Sequence, residues 1–234
     1  MNDVSEAFAT AFHLIATLDA DLLEIVGLSL RVSLTAVLFA ALIGLPLGAA
    51  VAALRFPGKG AATVALNALM GLPPVVVGLI VYLMLSRSGP LGVLGLLFTP
   101  AAMVIAQAVL LTPLIAALAR QTVEDLLHEY DDMLRAFGTG PLHIVGTLLA
   151  EARFSLATTV LAAFGRASAE VGAVMIVGGN IEHVTRVMTT AIALETSKGN
   201  LPLALGLGVI LMALSLAVNA TVTMLRNATN GVRA

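Results

Sequence analysis

Long stretches without a charged residue are the feature of this 234-residue chain that most constrains its fold. Asp, Glu, Lys and Arg are all absent from residues 32–54, 60–86, 88–119 and 199–225. An α-helix needs about 20 apolar residues to cross the hydrocarbon core of a bilayer, so each stretch is long enough for one crossing. The third stretch begins with a Gly89-Pro90 turn signal, which places its crossing at residues 99–119. The pattern predicts an all-α membrane protein.

A fifth apolar stretch, residues 154–181, carries two charges, Arg166 and Glu170. Residues four apart share a face of an α-helix. Ionisable groups in lipid are costly and usually face a cavity or another chain. Two interpretations stay open: a structural ion pair that locks the helix, or the lining of a pathway that meets an anion or moves during gating. With this stretch the predicted number of spans is five.

Composition supports the membrane assignment and excludes several functions. Apolar residues make up 59% of the chain and charged residues 11%, whereas soluble domains are about half apolar and a quarter charged. The net charge of −2 gives no electrostatic basis for binding nucleic acid, and the absence of Cys excludes disulfides and Cys-ligated metals. The chain has no P-loop, no HExxH and no GxSxG motif. We therefore expect a protein that is not an enzyme and that binds no ATP, metal or other cofactor itself.

The first 23 residues form a separate segment. Asp3 and Glu6 stand where a signal peptide would carry Lys or Arg, so a cleaved signal is not expected. Apolar residues recur at three- and four-residue steps: Val4, Phe8, Phe12, Ile15 and Leu18. This spacing predicts an amphipathic helix at the membrane interface, with a sixth crossing as the alternative.

The distribution of basic residues predicts the orientation. Five spans place the two termini on opposite sides of the membrane. With the N-terminus outside, the inside segments 55–59, 120–153 and 226–234 hold seven basic residues, and the outside segments hold three. The seven are Arg55, Lys59, Arg120, Arg135, Arg153, Arg226 and Arg233; the three are Arg87, Arg186 and Lys198. The positive-inside rule therefore favours a cytoplasmic C-terminus.

The longest polar insertion, residues 120–153, is cytoplasmic in this orientation. Its centre, residues 123–137, alternates apolar and acidic residues and predicts a short separate helix that Gly138 and Gly140-Pro141 end. One interpretation is a solvated connector. The other is a docking element for a cytoplasmic partner.

Helix-breaking residues mark other positions. Pro73-Pro74 lies within the second span and Pro113 within the third, where proline frees backbone carbonyls and kinks a helix. Gly178-Gly179-Asn180 predicts a break whose exposed N–H groups hold an anion, or else an ordinary surface turn. Gly44 and Gly48 form a GxxxG pattern, which predicts close helix packing.

Several segments together resemble the membrane permeases of ABC-type importers. "EYDDMLRAFGTG" (129–140) is similar to their E-A-A-x(3)-G loop, with Gly138 retained and the two alanines replaced by Tyr130 and Asp131. "FGRASAEVGAVMIVGGNI" (164–181) follows it. "MGLPPVVVGL" (70–79) and "TTAIALETSKG" (189–199) resemble the tungstate-type permeases, relatives of the molybdate permeases, and the resemblance runs from about residue 5 to about residue 225.

The resemblance implies a type I importer permease fold in a bacterial or archaeal plasma membrane. It implies an interfacial helix at 1–23, a permease domain at 24–226 with its coupling loop at 120–153, and a cytoplasmic tail at 227–234. The implied partners are a second copy of the chain, two cytoplasmic ATPases that carry ATP and Mg²⁺, and an extracytoplasmic binding protein. The ATPase contact would use Glu129, Asp132, Met133, Leu134, Arg135, Ala136, Phe137 and Gly138.

The implied substrate is a tetrahedral oxyanion, most simply tungstate. Molybdate, sulfate and phosphate are alternatives, and a secondary transporter without an ATPase is a further one. A pathway for an anion needs hydrogen-bond donors and modest positive potential. The residues expected to line or gate it are Asn67, Pro73, Pro74, Arg166, Ser168, Glu170, Gly178, Gly179, Asn180, Thr189 and Thr190.

Overall fold

The computed structural model describes the backbone of residues 2–54, 56–136 and 141–232 and the side chains of residues 8–54, 56–130 and 144–224. Over this part the chain forms α-helices and one short 3-10 turn, with no strand. The helices are α1 (Asn2–Ala16), α2 (Ala20–Ala53), α3 (Lys59–Met70), α4 (Pro74–Leu85), α5 (Pro100–Ala136), α6 (Pro141–Glu151), α7 (Arg153–Ser168), α8 (Gly172–Gly178), α9 (Met188–Lys198) and α10 (Leu201–Val232). The predicted all-α class is confirmed.

Three helices are long and apolar enough to cross a membrane alone: α2, α5 and α10. Two further pairs, α3 with α4 and α6 with α7, meet the same test together but bend by more than 40° at a short break. Counting each bent pair as one span gives five spans, the predicted number, but the fourth then covers residues 144–168 rather than the predicted 154–181. The outward side of α2 carries exposed Leu34, Leu38 and Leu42, as expected where lipid is the solvent.

Three helix boundaries differ from the sequence-based predictions. The stretch 154–181 is not one helix, because α7 ends at Ser168 and α8 begins at Gly172. The acidic segment from residue 123 is not a separate helix, because α5 runs without a break from Pro100 to Ala136. The N-terminal segment is helical only to Ala16, and Leu18 lies in the turn before α2 with a left-handed φ of 51°.

Helix-breaking chemistry explains other boundaries. Pro73 takes an extended conformation before α4, and Pro74 occupies the first turn, where a missing N–H costs nothing. Pro46 and Pro113 are tolerated inside α2 and α5. Gly179 ends α8 in the left-handed conformation that glycine adopts without strain.

The chain divides into two compact units. Unit 1 comprises Met1–Ala36, Pro73–Gln107 and Gly165–Val218. Its apolar core includes Leu22, Met188 and Leu207. Within it α4 and α8 pack so closely that a Cβ at Gly78 would lie 2.7 Å from the Cα of Ala173.

Unit 2 comprises Val37–Leu72, Ala108–Phe164 and Asn219–Ala234. Its core joins α2, α5, α6 and α7 through Ala49, Ala119, Val123, Leu148 and Leu156. Small residues bring α2 against α5. A Cβ at Gly44 would lie 2.9 Å from the Thr112 carbonyl oxygen, and one at Gly48 would lie 2.9 Å from the Ala119 Cβ. The close packing predicted from the GxxxG pattern is confirmed.

Candidate functional site

The break between α7 and α8 brings a carboxylate into the interior of unit 1. Glu170 lies outside both helices and is only 8% exposed. Its Oε1 accepts a hydrogen bond from the Ala173 N–H at 3.2 Å, which caps the start of α8. The Thr189 hydroxyl donates to the Glu170 backbone oxygen at 2.8 Å and ties the break to α9.

Arg166 and Glu170 do not form the predicted pair. Because α7 ends at Ser168, the two residues do not share a helix face. Arg166 is exposed on α7, and no ion pair joins it to Glu170 among the described residues. The expectation of a locked buried ion pair is wrong.

A small polar cavity lies beside the break, and we call it the Gln107 cavity. Its volume is about 10 Å³, and its polar lining comes from Ser29, Ser33, Gln107, Ser168, Glu170 and Thr189. Gln107 is 4% exposed, and its Nε2 donates to the Ala167 carbonyl oxygen at 3.1 Å. Its Oε1 has no hydrogen-bond partner among the described residues.

Three of the residues predicted from the sequence meet at this cavity: Ser168, Glu170 and Thr189. Gln107 and the two serines of α2 were not predicted. The only signal in the sequence was one amide within the otherwise apolar run "AMVIAQAVLL" (102–111), and one hydroxyl per turn near the start of α2.

The Gly178-Gly179-Asn180 turn is tightly bonded to its own surroundings. The Gly179 N–H donates to the Met175 oxygen at 2.9 Å. The Ile181 N–H donates to the Thr185 hydroxyl at 2.9 Å, and that hydroxyl donates to the Gly178 oxygen at 2.6 Å. The N–H groups of residues 179 and 181 are therefore engaged, which favours the ordinary turn over the anion site.

The other predicted pathway residues lie apart from the cavity. The Thr190 hydroxyl donates to the Val187 oxygen and accepts from its N–H, both at 3.1 Å, and so caps α9. The Asn180 amide donates to the Thr190 oxygen at 3.4 Å. Asn67 is exposed on α3 in unit 2, and Pro73 and Pro74 start α4.

Of the residues predicted to contact an ATPase, Glu129 is exposed near the end of α5. Asp132, Met133, Leu134, Arg135 and Ala136 continue the helical backbone of α5, while their side chains lie outside the described residues. Phe137 and Gly138 lie outside the described residues altogether.

A charged pocket of about 210 Å³ lies elsewhere in unit 1, among the start of α2, the α8–α9 loop and the end of α9. Its charges are mostly paired: His183 Nδ1 lies 2.9 Å from Glu24 Oε2, Arg186 2.7 Å from Glu182, and Lys198 2.9 Å from Glu195. The hydrogen bond and charge of Glu24 raise the pKa of His183 above its ordinary value. The hydrogen bond from Lys198 lowers the pKa of Glu195, against the opposing effect of burial.

The same pocket holds the one set of possible metal ligands in the described part of the chain. Ligand atoms of Asp21, Glu24 and His183 all lie within 4.8 Å of one another. All three residues are exposed, and the contact between Glu24 and His183 already engages two of them.

The sequence matches a known family over most of its length. The profile of the binding-protein-dependent transport system inner membrane component covers residues 44–230. This chain belongs to that family. The family has the type I ABC importer permease fold, and its members are transport components rather than enzymes, as the sequence predicts.

Curated relatives cover nearly the whole chain. A probable anion ABC transporter permease protein of Haloferax volcanii is 44% identical over 215 residues, which is 90% of this chain and 93% of the relative. The tungstate uptake system permease protein of Peptoclostridium acidaminophilum is 40% identical over 226 residues, which is 97% of this chain and 99% of the relative. The molybdenum transport system permease protein of Escherichia coli K12 is 30% identical over 177 residues, covering 72% and 77%.

Family membership settles the broad location and role. The chain is a multi-pass inner-membrane protein and the permease subunit of an ABC transporter. The Gln107 cavity and the α7–α8 break are polar features that the described part of this permease places inside unit 1, as is the charged pocket.

Proposed function

We propose that this permease imports a tetrahedral oxyanion and that tungstate is its preferred substrate. The observation that carries the proposal is the 40% identity to a tungstate uptake permease over 97% of this chain. The 44% identity to a probable anion permease supports the substrate class. Molybdate, sulfate and phosphate are the alternatives within that class.

The permease acts with three kinds of partner: a second copy of itself, two cytoplasmic ATPases that hold ATP and Mg²⁺, and an extracytoplasmic binding protein. The chain has no P-loop, so its energy must come from another subunit. One coupling loop per chain and two ATPases per transporter require two copies, and a two-fold axis is the commonest arrangement. We place the N-terminus outside and the C-terminus in the cytoplasm, as the excess of basic residues in the inside segments favours.

Coupling uses the cytoplasmic end of α5. A helix of 37 residues is about 55 Å long, whereas the hydrocarbon core is about 30 Å thick. The end of α5 at residues 129–136 therefore extends beyond the membrane as part of the spanning helix itself. When the ATPases close and displace this end, α5 moves without a hinge loop between the docking segment and the span.

The anion itself meets donors and positive charge rather than the interior carboxylate. Arg166 is exposed on α7 and has no ion-pair partner among the described residues, so its charge is available to an anion. The substrate has no room in the Gln107 cavity, whose volume is about 10 Å³.

Uptake by the reconstituted transporter tests this proposal. The permease, its ATPase and its binding protein are assembled in proteoliposomes, and accumulated metal is measured by mass spectrometry. Tungstate should accumulate, and added molybdate should reduce tungstate uptake more strongly than added sulfate or phosphate. Preferential uptake of any other anion would overturn the substrate assignment, and uptake without ATP would overturn the importer.

A further inference from the structure

The Gln107 cavity contains an oxygen atom that the protein leaves without a partner. Gln107 is 4% exposed, and its Nε2 donates to the Ala167 carbonyl oxygen. Because a carbonyl oxygen can only accept, this bond fixes the orientation of the amide. Oε1 is then the atom left over, buried and unbonded. A buried acceptor without a partner is destabilising, so a bound species that complements it is expected.

The rest of the polar lining also offers lone pairs. The Glu170 carboxylate has one hydrogen bond among the described residues, from the Ala173 N–H to Oε1. The Thr189 hydroxyl donates to the backbone oxygen of Glu170, and the Ser29 hydroxyl donates to that of Ile25, so neither hydroxyl hydrogen is available to the cavity. No described cationic side chain pairs with Glu170. The cavity is therefore rich in acceptors and carries a buried negative charge.

The end of α7 adds to this acceptor character. The last two residues of α7, Ala167 and Ser168, line it, so the negative end of a 16-residue helix lies beside it. Interrupted helices in transporters use such C-terminal ends to hold cations. α8 and α9 begin beside the cavity, and side-chain oxygens accept from N–H groups at their starts: Glu170 accepts from Ala173 of α8, and Ser29 accepts from Met188 of α9.

The volume of the Gln107 cavity limits the size of what it can bind. About 10 Å³ corresponds to roughly one water-sized sphere, which is too small for a tetrahedral oxyanion. Water would satisfy Gln107 but would leave the charge of Glu170 unbalanced. A single carboxylate balances one positive charge rather than two. A small cation with a single positive charge therefore fits the cavity, and hard cations prefer oxygen ligands.

We propose that the Gln107 cavity binds one monovalent cation of the size of Na⁺. Its ligands are Gln107 Oε1, a Glu170 carboxylate oxygen and the hydroxyl oxygens of Ser33 and Thr189. The ion joins α2, α5, the α7–α8 break and α9, and it removes a negative charge from the interior of a permease for anions. The site does not depend on which anion the permease carries.

Ion binding to the full-length chain in lipid nanodiscs tests the proposal. Heat stability is followed as the fraction that stays monodisperse in size-exclusion chromatography, in NaCl and in choline chloride of equal ionic strength. Bound ²²Na⁺ is measured by equilibrium dialysis. We expect a saturable rise of the melting temperature in NaCl alone and one bound ion per chain. Identical curves in the two salts, or no bound ²²Na⁺, would overturn the proposal.

Matched variants locate the ion. Glu170→Gln keeps the shape and the acceptor but removes the charge, and it should lose both the bound ²²Na⁺ and the dependence on NaCl. Glu182→Gln makes the same change in the exposed charged pocket and should retain both. Retention of both by Glu170→Gln would place the ion elsewhere.

A milder variant keeps the test decisive if Glu170→Gln does not assemble. Ser33→Ala removes one oxygen ligand and leaves the carboxylate in place. This variant should raise the Na⁺ concentration for half-saturation roughly tenfold. That is the lower end of the loss of affinity seen when the surroundings of a metal site are changed. An unchanged half-saturation in this variant would contradict the assigned ligand set.

Discussion

Single residues decide how charge is distributed in this permease. Glu170 is buried and caps α8, whereas Arg166 is exposed four residues earlier on α7. The two residues therefore have separate roles, although the sequence presents them as a pair. The carboxylate belongs to the architecture of the break, and we propose that the exposed guanidinium meets the anion.

Arg166→Leu should separate transport from stability. Because Arg166 is exposed and makes no ion pair with a described residue, its removal should change stability by no more than about 0.5 kcal/mol. Uptake at low substrate concentration should fall several-fold, and Arg166→Lys should restore most of it by keeping the charge. Heat stability and initial uptake rates measure the two effects. Normal uptake by the leucine variant would remove Arg166 from the pathway.

The contact between Glu24 and His183 should make the stability of unit 1 depend on pH. Glu24 raises the pKa of His183, so the folded state binds the proton more tightly than the unfolded state. The stabilisation is complete below the ordinary histidine pKa of about 6.5 and is lost as the pH rises through the higher folded value. The melting temperature should therefore fall as the pH rises above about 6.5.

The His183→Gln variant should flatten this part of the pH profile. The same exchange at the exposed His128 of α5 is the matched control and should leave the profile unchanged, because the bond to Glu24 comes from His183. A profile that is equally steep in the wild-type chain and in His183→Gln would contradict the assignment.

The residues at the Gln107 cavity show how far chemistry can be read from sequence. Glu170 is a candidate because a charge in an apolar stretch is rare and costly, and Ser168 and Thr189 are candidates because an anion pathway needs hydrogen-bond donors. Gln107 was missed because its partner, Ala167, lies 60 residues away, and no local pattern relates the two positions. Because four separate segments form the cavity, each contributes only isolated polar residues, and the sequence shows no motif.

At the scale of the element, small residues set the separation of helices. α2 lies so close to α5 at Gly48 that a Cβ there would meet the backbone N of Arg120 and the Cβ of Ala119, each at 2.9 Å. In membranes such close approach replaces the hydrophobic effect as the source of association.

Gly48→Leu should therefore separate α2 from α5 and destabilise unit 2. Overpacking of a tight contact typically costs about 1–3 kcal/mol, and here rigid backbone lies in the way. Gly27→Leu is a matched control on the same helix, because no atom lies within 4 Å of a Cβ built at Gly27. The yield of monodisperse protein and its melting temperature are the readouts. Equal behaviour of the two variants would show that the contact does not limit stability.

The continuity of α5 predicts how coupling fails. Gln121 is exposed between the apolar part of α5 and its acidic end. Proline inside a helix removes a hydrogen bond and kinks it, at a cost of about 3 kcal/mol or more. Gln121→Pro should leave the ATPase bound but reduce uptake strongly, while Gln121→Ala should behave like the wild type. Co-purification of the ATPase and uptake measure the two steps, and full uptake by the proline variant would refute a rigid connection.

Helix existence was easier to predict than helix ends. The change from apolar to acidic residues near 120 was taken as a boundary, yet residues 114–137 contain no Gly or Pro, so nothing interrupts the backbone bonds of α5. Conversely, α7 ends at Ser168 before any strong breaker, and Gly172 follows only at the start of α8. Tertiary contacts of Glu170 and Thr189 stabilise that break, and sequence periodicity does not report them.

At the scale of the whole molecule, composition alone predicted a multi-span helical protein. Because the bilayer fixes the length of an apolar crossing, the sequence predicts five spans; the described residues contain three unbroken ones, and up to five if each bent pair is counted. The division into two units did not follow, because each unit combines three separate segments of the chain. The family was accessible from sequence because its motifs lie along almost the entire chain.

ATP-driven tungstate accumulation in proteoliposomes tests the central claim most directly. The permease is reconstituted with its ATPase. The external binding protein, the ATP inside the vesicles and the tungstate are then omitted one at a time. The account predicts accumulation only when all three are present, and none with an ATPase variant that cannot hydrolyse ATP. Accumulation without ATP or without the binding protein would contradict it.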